Sequence, residues 1–479
     1  MIASRRMLLC AGVGATAAFA ARSGGAVNAP RAQSCAGPAV DGAFDCAADA
    51  RAAAARDFGH ILRKEPLGVL RPTSVADIAH AIEWAGNQGL KIAPRGQGHS
   101  TYGRAMAEGG VVVDMRGFNT IHSVEPDRIA VDAGATWSSV LDATLARGLT
   151  PPVLTNYLAL SVGGTIAVGG VGTTSSRQGM QTDHVLELNV VTGEGRELTC
   201  SAGTNPDLFD AARAGLGQCG IVTRAVLRLV RAPQRVRRYQ LFYQDLQALS
   251  TDQRRVLSEQ RFDQLQGAVL PDANGGWRYQ LEAALYYDDA ALPDDKSLLA
   301  TLSDERGAAV ITDATYRDDI QAFAKFEALL RQNGHWSNPQ PWLFTFLRGG
   351  DAEQFAGGLL AGLTAADIGR FGRVIYYPLE TSAFGTPLAR LPADNIAFAF
   401  NLVRIPGSND EAKISQMVAQ NRALYDRIRA AGGVQYPVGA FALSPADWKD
   451  HFAAKWTLLR DAKRRHDPRN LLTPGYEVF

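Results

Sequence analysis

Apolar and polar positions change rhythm twice along this chain. From about residue 56 to 230, short strand-like runs alternate with turns and a few helices. Pro72-Thr73-Ser74 opens a helix whose Val75, Ile78, Ala81, Ile82 and Ala85 share one face, and Gly89 closes it. Gly109-Gly110-Val111-Val112-Val113-Asp114 and Ile129-Ala130-Val131 read as buried strands, and residues 137–148 as an amphipathic helix. Residues 185–191 and 196–199 flank Thr192-Gly193-Glu194-Gly195 and predict a hairpin.

Near Arg231 the character shifts. Arg231, Arg235, Arg237 and Arg238 lead into a stretch richer in aromatic residues and longer helices, reaching about residue 430. Trp342, Phe344 and Phe346 alternate there as in a strand, a spacing that suits either a packed core or the wall of a pocket for a flat molecule. The tail, residues 432–479, regains the earlier character, with one helix over residues 444–459 and a stop at Asp467-Pro468. Lys463-Arg464-Arg465-His466 reads as a solvated helix end, where cations complement the helix dipole.

Length and charge narrow the possibilities. A chain of 479 residues exceeds what one core serves, so two or more units are expected. With 49 Lys plus Arg against 48 Asp plus Glu, the net charge is +1, which gives no electrostatic reason for a nucleic-acid or anionic-membrane partner. A small molecule is the expected ligand.

Ser4-Arg5-Arg6-Met7-Leu8-Leu9 precedes an alanine-rich apolar run, with small residues at Ala18 and Ala20. This resembles a twin-arginine export signal over residues 1–28 and predicts a periplasmic or secreted protein, with no membrane span once the signal is removed. In an oxidising compartment Cys35 and Cys46 can pair, whereas Cys200 and Cys219 read as buried thiols. No C-x-x-C pair and no ligand-like histidine spacing occurs, so no metal site is expected.

Two glycine motifs must be weighed. Gly215-Leu216-Gly217-Gln218-Cys219-Gly220 satisfies the dinucleotide fingerprint, but it follows a helix and precedes a strand, the reverse of what that fingerprint needs; a structural turn is expected. Pro94-Arg95-Gly96-Gln97-Gly98-His99-Ser100 carries more. Its two glycines expose successive backbone N–H groups that can cradle a pyrophosphate, with His99 directly behind them. It is no hydrolase elbow, because Tyr102 stands where the second glycine is required.

That run, followed by residues 109–115, resembles the FAD-binding segment of the cytokinin dehydrogenases, within the vanillyl-alcohol-oxidase (PCMH-type) flavoproteins. Asn156-Tyr157-Leu158-Ala159-Leu160-Ser161-Val162-Gly163-Gly164-Thr165, Pro341-Trp342-Leu343, Tyr376-Tyr377-Pro378-Leu379 and Asp467-Pro468-Arg469-Asn470-Leu471-Leu472-Thr473-Pro474-Gly475 extend the resemblance through nearly the whole chain in order.

The resemblance implies a two-domain α+β fold. After the signal and a linker at 29–55, an FAD-binding PCMH-type domain spans 56–230, a substrate domain spans 231–430, and 431–479 returns to the FAD domain. It implies FAD bonded through the 8α carbon to His99, with Gly96, Gln97, Gly98 and Ser100 at the pyrophosphate and Ser161, Val222, Tyr436, Thr473 and Tyr476 as further contacts. Arg104 and Ala167 stand where the family usually has Gln and Ser.

The main departure is Asn156, at the family's proton-accepting aspartate; an amide hydrogen-bonds but is no base near neutral pH. Glu282, Tyr377 and Glu380 are the alternative candidates. The expected activity is oxidation of a small substrate, an amine, with electrons passed to oxygen or another acceptor. The alternatives are an alcohol or sugar oxidase and a flavin-holding protein without catalysis.

Overall fold

A computed structural model describes residues 36–272 and 275–479. Three sheets carry the architecture. The first contains β1 (Ala43–Asp45), β2 (Gly68–Arg71), β3 (Ile92–Arg95) and β4 (Val111–Asp114) in the order β1-β2-β4-β3. β4 is parallel to both β2 and β3, and all four of its residues are buried, as its unbroken Val-Val-Val run requires. The helix Val75–Asn87 crosses over it with a Ser74–Asp77 capping box, and Ile78, Ala81, Ile82 and Ala85 are all buried, as the spacing predicts. Residues 43–54, taken from sequence as linker, belong to the fold: β1 pairs with β2, and residues Ala48–Ala54 are helical.

The second sheet has the order β5-β6-β10-β8-β9, from β5 (Ile121–Val124), β6 (Arg128–Asp132), β8 (Val185–Val191), β9 (Glu197–Ser201) and β10 (Ile221–Arg228). The predicted hairpin is present as β8–β9. A two-stranded ribbon, β7 (Leu149–Thr150) with β11 (Val230–Arg231), stands at the passage to the second half.

The third sheet has eight strands: β12 (Arg235–Tyr243), β13 (Gln264–Pro271), β14 (Trp277–Tyr287), β15 (Val310–Thr315), β16 (Leu343–Arg348), β17 (Arg373–Glu380), β18 (Ile396–Val403) and β19 (Val434–Gln435). They run in the order β15-β12-β14-β13-β17-β18-β16-β19. One continuous core joins the second and third sheets, from Ile129 and Val131 to Phe398 and Phe400. β19, which the sequence assigned to the returning tail, pairs with β16.

Two readings of the tail need correction. The helix expected over 444–459 is two helices, Pro445–Phe452 and Trp456–His466, parted at Ala453, whose φ of +47° no α-helix accommodates. The break re-aims the second helix so that Leu459, Ala462, Lys463 and His466 are buried. The Lys463–His466 run is therefore only half solvated. Lys463 Nζ donates to Asp467 Oδ2 at 2.7 Å and to Gln218 O at 3.0 Å, and His466 Nε2 meets Asp207 Oδ2 at 3.1 Å.

Cys200 and Cys219 are buried free thiols, as expected. Cys46 is disulfide-bonded. Cys35, the partner expected for it, lies outside the described residues, as does the export signal. No helix among the described residues is long and apolar enough to cross a membrane.

Candidate active site

A cavity of about 390 Å³ lies between the glycine-rich loops and the face of the large sheet. Its first wall is the loop that leaves β3. Among the described residues, none of the backbone N–H groups of residues 96–101 donates to a protein acceptor. Six consecutive free donors beside a cavity form a nest for an anion.

Neighbours hold the loop open. Phe58 N donates to Gly98 O at 2.8 Å and Gly59 N to Ser100 O at 2.9 Å. Asp57 Oδ2 accepts Ser100 Oγ–H at 2.8 Å and Gly103 N–H at 2.6 Å. Burial raises the Asp57 carboxyl above the usual carboxylate range, against the lowering effect of those two bonds. The glycines are required: a Cβ on Gly96 would lie 2.0 Å from Ser161 Oγ, and Gly98 has φ +66° with Arg95 Nη2 2.4 Å from its missing Cβ.

The tail closes the same wall. Ile92 N donates to Leu471 O and Thr473 N to Ile92 O, each at 2.9 Å, so residues 471–473 lie along β3. Thr473 Oγ1 donates to Gly217 O at 2.9 Å, and Gln218 Nε2 to Thr473 O at 3.1 Å. The 215–220 turn does follow a helix and precede a strand, but it is more than a structural turn: Leu216, Gly217 and Gly220 line the cavity.

Arg104, at the family's Gln position, is buried; its Nη groups donate to Gly475 O and Phe441 O, and its guanidinium lies over Tyr476 at 4.8 Å. It fastens the tail to the loop. Every residue assigned to the cofactor from sequence lines this cavity: Gly96, Gln97, Gly98, His99, Ser100, Ser161, Val222, Tyr436, Thr473 and Tyr476.

The other end of the cavity is aromatic. The His99 ring stacks on Phe58 (3.9 Å between centroids) and lies 4.6 Å from Tyr157, 5.9 Å from Trp336 and 6.2 Å from Trp342. That enclosure lowers the imidazole pKa to about 3, chiefly by desolvation, with the Arg331 charge adding to it. His99 is thus neutral at physiological pH. Among the described residues no group hydrogen-bonds either of its ring nitrogens. Phe323, Phe326 and Leu330, from the helix Phe323–Gln332, cover this end, and Tyr157 Oη donates to Glu327 Oε1 at 3.3 Å.

The floor is one face of the large sheet. With a side-chain period of two, Phe344 and Phe346 on β16, Ile375 and Tyr377 on β17, and Asn401 and Val403 on β18 all face the cavity. The alternation of Trp342, Phe344 and Phe346 is that of a pocket wall, since all three line the cavity.

Gln266 on β13 stands in register with Tyr377 and accepts a hydrogen bond from Asn156 Nδ2 at 3.3 Å. Of the alternative bases, only Tyr377 reaches the cavity, and burial pushes its phenol well above its usual value. Glu282 is ion-paired with Arg373 at 3.2 Å. Neither Glu282 nor Glu380 lines the cavity: Glu282 lies one strand beyond Gln266, and Glu380, three residues from Tyr377, points to the opposite face of the sheet. Among the described residues no Asp, Glu or Lys lines it, and no cluster of His, Cys, Asp and Glu is arranged to hold a metal ion.

Sequence reasoning missed Phe58, Trp336, Gln266 and Asn401. Nothing local marks them, since strand register and loop closure bring them in.

A dinucleotide fits this cavity: bare glycine backbone with free donors suits a pyrophosphate, and the aromatic end beside a neutral histidine suits a flat ring system. Comparison with known proteins agrees. Residues 66–201 match the FAD binding domain family, and residues 268–479 match the family described as cytokinin dehydrogenase 1, FAD and cytokinin binding. The chain is 42% identical over 425 residues to the "Uncharacterized oxidoreductase ORF5 in fasciation locus" of Rhodococcoides fascians, covering 89% of this chain and 96% of that protein. It is 35% identical over 485 residues to cytokinin dehydrogenase 10 of Oryza sativa subsp. japonica (90% and 87% covered). Cytokinin dehydrogenase 3 of Arabidopsis thaliana is 33% identical over 465 residues (89% and 88% covered). Cavity, motifs and relatives agree, and the chain belongs to the cytokinin dehydrogenase family of FAD-dependent oxidoreductases.

Proposed function

We propose that this protein oxidises a neutral, flat secondary amine at the carbon beside the nitrogen, with FAD bonded covalently to His99. The observation that carries the reading is the chamber lining: aromatic walls, neutral polar groups that include Asn156, Gln266, Tyr377 and Asn401, and, among the described residues, no carboxylate. FAD, when bound, supplies the two-electron acceptor for the hydride that leaves the substrate carbon.

The chain's residues decide which substrates can lose that hydride. In an amine the nitrogen lone pair closes the C=N bond as the C–H pair departs. The iminium product keeps its N–H proton until water takes it, so an amide acceptor at Asn156 suffices. An alcohol must give up its O–H proton as the hydride leaves, because a protonated carbonyl is a very strong acid. Neither the Asn156 amide nor the buried Tyr377 phenol is basic enough to take it. An alkylammonium substrate meets no counter-charge here. The relatives' names carry the word cytokinin, which makes a cytokinin a compound to include in the test.

His99 supports the covalent link because it is uncharged and both its ring nitrogens are free. Ser4-Arg5-Arg6-Met7-Leu8-Leu9 supports export of the folded protein by a twin-arginine route to the periplasm or beyond. The disulfide at Cys46 accords with an oxidising compartment. Oxygen or another acceptor then removes the electrons.

The test mixes holoenzyme anaerobically with N-benzylaniline, benzylamine, benzyl alcohol and a cytokinin. Flavin bleaching by the neutral secondary amines, with the alcohol inert, supports the reading. Bleaching by the alcohol instead would establish the alcohol oxidase, and bleaching by none of them would point to a flavin-holding protein.

A further inference from the structure

Two carboxamides in the chamber are fixed with opposite ends toward it. Asn401 on β18 is buried, and its Oδ1 accepts the backbone N–H of Thr345 on β16 at 2.9 Å. A carboxamide has one acceptor end and one two-proton donor end, so this bond decides which end is left over. No protein acceptor takes Asn401 Nδ2, and it is absent from the polar atoms sealed away without a partner. It therefore opens onto the chamber that Asn401 lines.

Asn156 is set the other way. Its Nδ2 donates to Gln266 Oε1 at 3.3 Å, which leaves Oδ1 free. Gln266 faces the Tyr377 phenol across the neighbouring strand, and its amide opposes the burial that raises that phenol's pKa.

We propose that Asn401 is a substrate-binding residue, donating its Nδ2–H to a lone-pair acceptor on the substrate while Asn156 Oδ1 accepts the substrate N–H. β17 lies between the strands that carry Gln266 and Asn401, so the two contacts sit roughly two strand spacings, about 10 Å, apart. A ligand satisfying both is flat and uncharged, with an N–H at the reacting end and a ring nitrogen or carbonyl at the other. A molecule without the distant acceptor leaves a buried N–H unpaired, the kind of loss that discriminates most strongly between near-isosteres. The inference rests on the amine reading for the role of Asn156; the Asn401 donor stands on geometry alone.

The probes are 4-(benzylamino)pyrimidine, which has the acceptor, and N-benzylaniline, which lacks it. Their non-oxidisable counterparts are 4-anilinopyrimidine and diphenylamine. Wild-type holoenzyme is expected to favour the pyrimidines about tenfold or more, in KM for the first pair and in dissociation constant from flavin difference spectra for the second. Asn401→Asp keeps the acceptor for Thr345 N–H and removes the donor, so the preference should collapse while the flavin absorbance spectrum and reduction potential stay put. A wild-type preference below about twofold overturns the proposal. So does a variant that keeps the preference, or one that shifts the flavin spectrum and potential while slowing both amines alike, since Asn401 would then act on the flavin. Should Asn401→Asp not fold, the wild-type binding pair decides alone. If neither amine reduces the flavin yet the binding preference holds, the amine reading fails and Asn401 remains a ligand contact.

Discussion

The Phe58 ring lies 3.9 Å from the His99 imidazole, centroid to centroid, with 22° between their planes. Phe58 also meets Trp336 at 4.9 Å and Trp342 at 5.2 Å, so one phenylalanine from outside the glycine loop ties that loop to the substrate half. The stack keeps water from the imidazole and thereby keeps it uncharged. Phe58→Leu removes three ring contacts, each worth about 1 kcal/mol, and admits water beside His99. The variant should fold, yet carry a smaller fraction of its flavin in acid-stable form, measured as flavin retained against flavin released on acid precipitation.

The same desolvation makes stability depend on pH. His99 and His451 each have a folded-state pKa of about 3, lowered chiefly by burial. In the unfolded chain each takes up a proton near pH 6.5, while the folded protein refuses it until about pH 3. The unfolded state thus binds more protons in this window, and stability falls as pH drops from about 6.5 toward 3. Urea melts of the flavin-free protein at pH 7 and pH 5 should show the lower midpoint at pH 5, and His451→Gln should lessen the difference.

Lys463 and Asp467 form a buried pair at 2.7 Å, and Asp467 also accepts the N–H groups of Leu471 and Leu472, each at 2.9 Å. Those residues lead directly to Thr473 in the cofactor wall. Lys463→Met leaves a buried carboxylate without its cation and should cost about 3–5 kcal/mol. Denaturant unfolding measures the loss, and flavin occupancy should fall with it.

Asn156→Asp restores a proton acceptor at the polar end. Turnover of benzyl alcohol should rise by about 100-fold or more, and the rate should gain an acidic limb, falling as the new carboxylate is protonated. The wild-type rate should lack that limb. A pH–rate profile of both proteins decides this.

Much of this site was legible in the sequence, for a physical reason. A loop that must offer bare N–H groups is written locally, so Gly96, Gly98 and His99 announce it within a few residues. The helix at Val75–Asn87 and the strand β4 were legible likewise, from capping and from an unbroken apolar run. Gln266 was invisible because it lies 110 residues from Asn156, and only strand register brings it within reach. Asn401 is hidden in an apolar strand, where its value depends on which amide end Thr345 claims. Lys463 misled because a run of cations looks solvated, although one of its members pairs inside the protein. Ala453 gives no local sign that it ends a helix.

The covalent bond at His99 is tested by the fate of the flavin when the purified protein is precipitated in acid and digested. Yellow flavin is expected in the pellet, with a peptide spanning His99 that carries the added mass of FAD. Flavin found wholly in the supernatant, with an unmodified His99 peptide, would contradict the covalent claim, and a folded preparation with no flavin at all would contradict the redox function.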